Sequence, residues 1–410
     1  MDIAVLGVYM GLFIAFYFEV FLLISYLERK PSTKSAALPS RFPSITMVVP
    51  CFNEERTLEQ TVGSLLSLEY PKDKVEILIV DDGSTDGTRA VGEALAARHP
   101  QVNFEHKENG GKYTALNLGI ARSQTDLVGC LDADSFVAPD ALIEVAKRLE
   151  NDPAIMALTP SMQVYRPRTA LELMQSVEYT FGIFYKKMFD NLSALNVLPG
   201  PFSIYKREVF ERIGPFRHAY NTEDMEIAFR MHANGLKIVN AHTAHVYTIV
   251  PDTVRKLLKQ RTRWSQGFLQ NSVDYSYMYF NRRFGNFGML VLPFSLISFL
   301  FGLYMAGYVL VTLASSVARR IADQLSTGVP LHLAAPTFNW FFFNTSMMFF
   351  LILIVMSMTM LAILLGQHIV GGKTRVKAFV LYFALFGLLA PLWLARAMWG
   401  ALLARESAWR

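Results

Sequence analysis

Asp132 and Asp134, in "GCLDADS", stand one alanine apart at the end of an apolar run. Alternate residues of an extended chain share a face, so both carboxylates can turn toward one hard cation, Mg2+ or Mn2+. Such a cation keeps coordination places for water and for substrate phosphate oxygens. The chemistry implied is displacement of a diphosphate leaving group, with the metal offsetting the charge that develops on it. A transfer of this kind needs a base for the acceptor hydroxyl, and Glu223 and Asp224 in "NTEDMEIAFRMHANG" open an expected helix, a rigid position for one. The same acids have a structural use, because they suit the positive end of a helix that Asn221 or Thr222 would cap.

Other polar clusters have the same double character. "NGGK", residues 109–112, offers backbone NH groups, a helix amino end and a lysine to an anion, without the GxxxxGK spacing of a Walker motif. "VVPCFNEE" puts Asn53, Glu54 and Glu55 just past one apolar run, and "LIVDDGSTDGT" puts Asp81, Asp82, Gly83 and Ser84 just past another. DDGS is also good turn chemistry, with Asp86 available to cap the next helix. His242 and His245 are three apart in a strand-like stretch and face opposite ways, which argues against a shared metal.

The elements that must hold these residues alternate. "ITMVVP", "VEILIV", "VNFEH" and "LVGCLD" are short apolar runs, separated by helical stretches near Leu58–Leu68, Thr88–Ala97 and after Lys112, with a fourth helix expected from Pro139 to Glu150. This is the pattern of a parallel, doubly wound α/β sheet, in which ligands bind at the carboxyl ends of strands. Three acidic, turn-forming strand ends on one rim therefore predict a binding cleft. After residue 155 the alternation changes, and residues 197–216 read as a strand, a turn and a short helix.

The chain has 410 residues, 52% hydrophobic and only 18% charged. The excess is localised: residues 3–27 carry a single charge, Glu19, and 285–318, 333–372 and 378–395 carry none. About 20 apolar residues cross a bilayer, which predicts spans near 4–26, 289–313, 342–366 and 378–402, the last interrupted by Arg396. The first reads as an anchor, without the basic start or small-residue site of a cleaved leader. Arg29, Lys30 and Lys34, and then Lys373, Arg375 and Lys377, put the segments holding them in the cytoplasm by the positive-inside rule. The resulting topology has the amino end out, residues 27–285 cytoplasmic and the carboxyl end out; Arg319 and Arg320 count mildly against it. Arg396 would either line an internal polar path or snorkel at the outer interface. Residues 168–190 and 253–283 are basic, apolar and aromatic enough for interfacial helices. Cys51 and Cys130 read as reduced core residues. The net charge of +5, concentrated around 255–283, suits a membrane surface or an anionic substrate, and no nucleic-acid recognition motif accompanies it.

Taken in order, "VVPCFNEE", "VDDGSTD", "NGGK", "DAD", "GPFSIYKRE", "TED" and "QRTRW" (260–264) resemble the processive family 2 glycosyltransferases, the group that includes cellulose, chitin, hyaluronan and poly-N-acetylglucosamine synthases. The resemblance covers roughly residues 44–270, and "QRTRW" is its most specific part. It implies a GT-A type, Rossmann-like cytosolic domain (40–250), interfacial helices (251–285) and flanking transmembrane regions (1–28 and 286–410), in a multi-pass protein of the inner or plasma membrane. It also implies roles. Pro50, Asn53, Glu54, Asp81 and Asp82 would lie along the nucleotide of a UDP-sugar, and Lys112 near the diphosphate. Asp132 would contact nucleotide and metal, and Asp134 the metal. Asp224, beside Glu223, would be the base. Gln260, Arg261 and Arg263 would meet the diphosphate, while Trp264, Gly200 and Pro201 would meet the acceptor, the growing polysaccharide.

A single base fits inverting chemistry by in-line attack. One helix before the catalytic domain and about three after it most resemble compact bacterial poly-N-acetylglucosamine synthases, which favours N-acetylglucosamine as the sugar. Four spans are few for a channel, so a small membrane partner or a homo-oligomer is expected to complete it, with membrane lipids around both. Cellulose or hyaluronan synthesis, transfer of one or a few sugars to a lipid or oligosaccharide, and a non-catalytic assembly subunit are the competing readings. The intact Asp132, Asp134, Asp224 and "QRTRW" speak against the last.

Overall fold

The computed structural model describes residues 3–28, 38–328, 346–372 and 376–403. Arg29, Lys30, Lys34, Lys373 and Arg375, on which the expected topology leans, lie outside the described residues, as do residues 342–345 of the third expected span. The described chain forms two compact units, divided within the tenth helix near Ser295 and within the eleventh near Ala362.

The catalytic-type unit is built from strands and helices in the expected alternation: β1 (Ile45–Cys51), α2 (Leu58–Leu66), β2 (Val75–Asp81), α3 (Thr88–Arg98), β3 (Val102–His106), α4 (Lys112–Arg122) and β4 (Leu127–Cys130), the helix α1 (Ile3–Glu28) belonging to the other unit. It continues with β5 (Ser135–Val137), α5 (Ala141–Asn151), β6 (Ile155–Val164), α6 (Ala170–Asn191), β7 (Ser203–Lys206), α7 (Arg207–Ile213), α8 (Glu223–Ala233), β8 (Lys237–Thr248) and α9 (Val254–Asp274). β1 is buried at every position because helices cover both faces of a parallel sheet, which is why its sequence is a continuous apolar run rather than an alternation.

The eight strands form one sheet in the order β3-β2-β1-β4-β7-β6-β8-β5. The first four are mutually parallel as the sequence predicts. The second half, where the alternation changes, is mixed: β7 runs antiparallel to both β4 and β6, and β5 antiparallel to β8. β7 follows β6 through α6 and residues 192–202 but pairs with it antiparallel, so the right-handed parallel unit is not formed there. β5 is only three residues long, too short to show a period. β1 is flanked by β2 on one side and β4 on the other, so the order reverses there and a crevice opens past their carboxyl ends.

The other unit holds α1 together with most of α10 (Leu292–Thr327) and of α11 (Met347–Val370). Four helices, Ile3–Glu28, Phe287–Thr327, Met347–Val370 and Val376–Leu402, are long and apolar enough to cross a membrane. α10 runs past the expected end at 313 and carries Arg319 and Arg320 in its last turns. Within this unit, buried Glu19 accepts a hydrogen bond from Thr359 Oγ1 at 2.8 Å, the partner a lone acid needs in an apolar bundle. The last helix, α12 (Val376–Leu402), belongs to the unit that holds the sheet. Arg396 is exposed on it, so it lines no internal path within the described residues.

Candidate active site

The crevice past β1 and β4 is floored by an ion network. Lys112, the first residue of α4, reaches Asp132 Oδ1 at 2.6 Å and Glu223 Oε1 at 3.6 Å. Burial works against the ammonium charge, yet Asp132, Glu223 and Asp224 outweigh it and hold the Lys112 pKa above the ordinary lysine value. Gly200 closes over this network: a Cβ there would collide with Lys112 Nζ and both Asp132 carboxylate oxygens, so only glycine allows the approach. Gly200 and Pro201 are buried in the turn that leads into β7, and this turn is tied to the helix behind it where Leu198 N donates to the Asp224 carbonyl. The sequence thus brings Lys112, Asp132, Gly200, Glu223 and Asp224 to one place from four separate segments.

Asp224 is a half-buried member of this cluster. Burial first, and then the neighbouring Glu223 charge, raise its pKa to about 6, against the pull of Lys112 and Arg263. A carboxylate poised near neutrality is suited to taking a proton and giving it up again. The cap expected for its helix is absent: Thr222 makes no side-chain bond to the helix and donates instead to the Ala219 carbonyl. The chain enters the helix through three consecutive residues in the left-handed region, Ala219, Tyr220 and Asn221, with φ of 43°, 57° and 59°. Left-handed geometry costs a non-glycine residue about 1–2 kcal/mol, so the turn needs support from outside.

α9 supplies it. Arg263 Nη1 donates to the Asn221 carbonyl at 2.6 Å, Gly267 lies so close to Thr222 that any side chain would clash, and Asn271 Nδ2 donates to Thr222 Oγ1 at 3.0 Å. These three positions, four apart, form one stripe of a helix. Arg263, expected at a diphosphate, is thereby committed to the turn before Asp224 while still lowering that acid's pKa by its charge.

Arg261 lies against α6. It is buried, with Nη2 2.8 Å from Glu178 Oε2 and its guanidinium 4.3 Å from the Trp264 ring centroid and 5.9 Å from that of Tyr179. Its Nε and Nη1 are buried without a hydrogen-bond partner, as is Gln260 Oε1. Tyr179, pushed up to about 12 by burial, also feels Asp134, so this cluster borders the Asp132–Asp134 segment. Glu178 and Tyr179 were not singled out from the sequence. The signal available was the Thr169 to Glu172 spacing, which forms a capping box and sets the register of α6. Lys186, on the same face of α6 two turns beyond Tyr179, is lowered to about 8 by burial against the pull of Asp224.

The acids past β2 serve the scaffold. Asp81 is buried, accepting from Ser84 N at 3.1 Å, with His106 Nδ1 at 2.7 Å. Asp82 is buried too and receives Lys107 Nζ at 2.6 Å, Gly110 N at 3.0 Å and Gly111 N at 2.9 Å. The "NGGK" amides therefore already have an anion, the protein's own Asp82, which fixes the loop that presents Lys112. Asn53 has φ of 58° and joins the same rim, its side chain accepting from Thr85 N at 2.8 Å. Glu54 N donates to Thr88 Oγ1 at 2.7 Å, and Glu54 Oε2 accepts from Thr57 Oγ1. Pro50, within β1, is buried. His242 and His245 do not converge: His242 Nδ1 lies 3.2 Å from Arg148 Nη2, and burial lowers its pKa to about 3.

For a divalent cation the donor set is carboxylate oxygen. Asp132 and Asp134 are half-buried, and among the described residues no group of three or more His, Cys, Asp or Glu forms a closed cage. That fits Mg2+ or Mn2+, which draw remaining ligands from water and phosphate, and not a structural zinc.

Comparison with known proteins agrees with this geometry. Residues 46–214 match the family model of glycosyl transferase family 2. The poly-beta-1,6-N-acetyl-D-glucosamine synthase of Staphylococcus aureus (strain COL) is 32% identical over 242 residues, 59% of this chain and 57% of that protein. The synthase of the same name from Staphylococcus epidermidis is 30% identical over 246 residues, 59% of each chain. The matches thus span less than two thirds of these relatives' length. Among solved structures, the mannosyltransferase PcManGT from Pyrobaculum calidifontis, in complex with GDP-Man and Mn2+, has the same fold: TM-score 0.67 and 19% identity, covering 98% of this chain and 99% of that one. The crevice at the β1/β4 switch point, with its acidic and basic floor, thus lies in a GT-A-like fold, and residues 46–214 are similar to the glycosyl transferase family 2 model.

Proposed function

We propose that the protein is a membrane-bound, inverting β-glycosyltransferase that polymerises N-acetylglucosamine from a UDP-sugar and passes the product through the membrane. The observation that carries this reading is the convergence of Lys112, Asp132, Glu223 and Asp224 under Gly200, with α9 holding Asp224 in position. The 30–32% identity to the staphylococcal synthases supports the choice of sugar.

In this reading Asp224 accepts the proton of the acceptor hydroxyl as it attacks the anomeric carbon in line, and its raised pKa matches that task. Asp132 and Asp134 would hold Mg2+ or Mn2+, which when bound offsets charge on the departing UDP. Lys112 adds positive charge at the same end, and the unpartnered Nε and Nη1 of Arg261 and Oε1 of Gln260 remain for substrate. Pro50, Asn53, Glu54, Asp81 and Asp82 shape the nucleotide rim. Trp264 stacks under the acceptor sugar on the ring face opposite Arg261, because an apolar pyranose face suits an aromatic one. The orientation proposed puts the amino end of α1 outside and the transferase unit in the cytoplasm, with a small membrane partner or a second copy completing the path.

The test is incorporation of radiolabelled UDP-N-acetylglucosamine and UDP-glucose by purified protein in vesicles, with and without EDTA, followed by linkage-specific hydrolases. Polymer from the first donor alone, lost with EDTA and restored by Mg2+ or Mn2+, supports the reading. Products stopping at one sugar, or preference for glucose, would overturn it.

A further inference from the structure

α12 has the length and composition of a membrane span, yet both its ends lie against the transferase unit. Near its start, Ala378 lines a cavity with Leu173, Ser176 and Thr180 of α6. Near its end, a side chain at Gly400 would come within 2.7 Å of Gln266 Oε1 on α9. A 27-residue helix is about 40 Å long. A helix leaving the unit to cross a bilayer would touch it at one end and be about 30 Å away at the other. α12 instead packs along α6 and α9, the two helices whose sequences suit the membrane surface.

Its side chains divide accordingly. Ala378, Phe379, Tyr382, Ala390, Trp393 and Ala397 are buried and share one side at helical spacing. Val380, Leu388, Leu392, Trp399 and Leu402 are exposed and lie on the opposite side. These exposed side chains are apolar, as lipid contact requires, with the exposed charges Lys377 and Arg396 toward the two ends, and Trp399 is a residue that favours the bilayer interface. Charge gives a separate argument: Lys377 stands at one end, and Arg396, Arg405 and Arg410 at the other. A spanning α12 would send those three arginines to the face opposite Lys377, against the positive-inside rule, whereas a helix lying flat keeps all four on one face.

We propose that α12 does not cross the membrane but lies in its plane, between the α6–α9 surface and the lipid of the near leaflet, so that residues after Leu402 are on the same side as the transferase unit. The positive-inside residue set and the helix packing carry this independently of any catalytic role.

The test is sidedness. Single cysteines are introduced as Ser67→Cys on the exposed surface of the transferase unit, Thr327→Cys at the end of α10 and Ser407→Cys beyond α12; the native Cys51 and Cys130 are buried. Intact and permeabilised cells are treated with a membrane-impermeant maleimide. Among the described residues α11 is the one membrane-length helix between position 327 and α12, so position 407 should label with position 67 and opposite to 327. Labelling of 407 together with 327 shows a spanning α12 and overturns the proposal. If position 407 reacts under neither condition, fluorescent-protein and alkaline-phosphatase fusions after Arg410 decide: fluorescence on the side of the transferase unit supports the proposal, and phosphatase activity overturns it.

Discussion

Arg263 holds the carbonyl of Asn221 at 2.6 Å, so a residue expected to meet substrate phosphate also fixes the backbone two residues before Glu223 and three before Asp224. Arg263→Ala should therefore lower turnover by about 10²-fold, the scale of loss that misplacing a reacting group by about 1 Å produces. UDP affinity, read by calorimetry, should change much less. A loss of UDP binding as large as the loss of turnover would make Arg263 chiefly a phosphate ligand.

Asp82 answers for the loop that presents Lys112. Asp82→Ala leaves Lys107 and two glycine amides without this acceptor in a buried site, a change worth about 3 kcal/mol, or about 5 °C in thermal midpoint for a unit of this size. Differential scanning fluorimetry in detergent measures it. Asp82→Asn should fall between, since an amide oxygen can keep one amide bond but cannot balance the Lys107 charge.

The raised pKa of Asp224 has two consequences with opposite signs. As a base it works ionised, so the rate should be full above about pH 6 and fall as the pH drops through that value. For stability, a folded pKa above the ordinary carboxylate value means that ionisation is disfavoured in the folded state; the cost is absent at low pH and present once the pH exceeds about 6. Asp224→Asn should thus be inactive at pH 8 and yet about 1–3 kcal/mol more stable than the parent there. The two thermal midpoints should draw together as the pH falls below about 6 and converge only near pH 4, the ordinary aspartate value.

Glu178 tethers the guanidinium that covers one face of Trp264. Glu178→Gln should raise the KM for acceptor oligosaccharide about tenfold and leave donor KM within about twofold, because the ring keeps its place in sequence but loses its fixed tilt. Trp264→Ala should abolish elongation with UDP binding nearly intact, and Trp264→Phe should recover part of it. Chain-length analysis by gel electrophoresis separates these outcomes.

The half of the sheet formed by β3, β2, β1 and β4 was legible because buried parallel strands are continuous apolar runs, and Lys112, Asp132 and Asp224 were legible as charged residues at element ends. β5 was not, being three residues long, and neither was the reversed direction of β7, which shows only in its pairing with β6. The partner of Gly110 and Gly111 could not be read from "NGGK", since it is supplied from a position 28 residues earlier that itself looked like a ligand. Arg261 and Glu178 are 83 residues apart and meet only when α6 and α9 pack. The left-handed path of Ala219 and Tyr220 had no signal at all, because neither residue type favours it.

That path also sets an order of events during synthesis. Residues 219–221 carry a local conformational cost that α9 offsets, and α9 begins more than thirty residues later, at Val254. A nascent chain that has emerged as far as β8 already holds every acidic motif of the site, but the turn before Asp224 still lacks its contacts with Arg263, Gly267 and Asn271. Completion waits for α9 to dock, and α9 is the helix whose sequence suits the bilayer surface. Catalytic competence would then arrive together with the membrane, so that a chain stranded in the cytosol spends no nucleotide sugar.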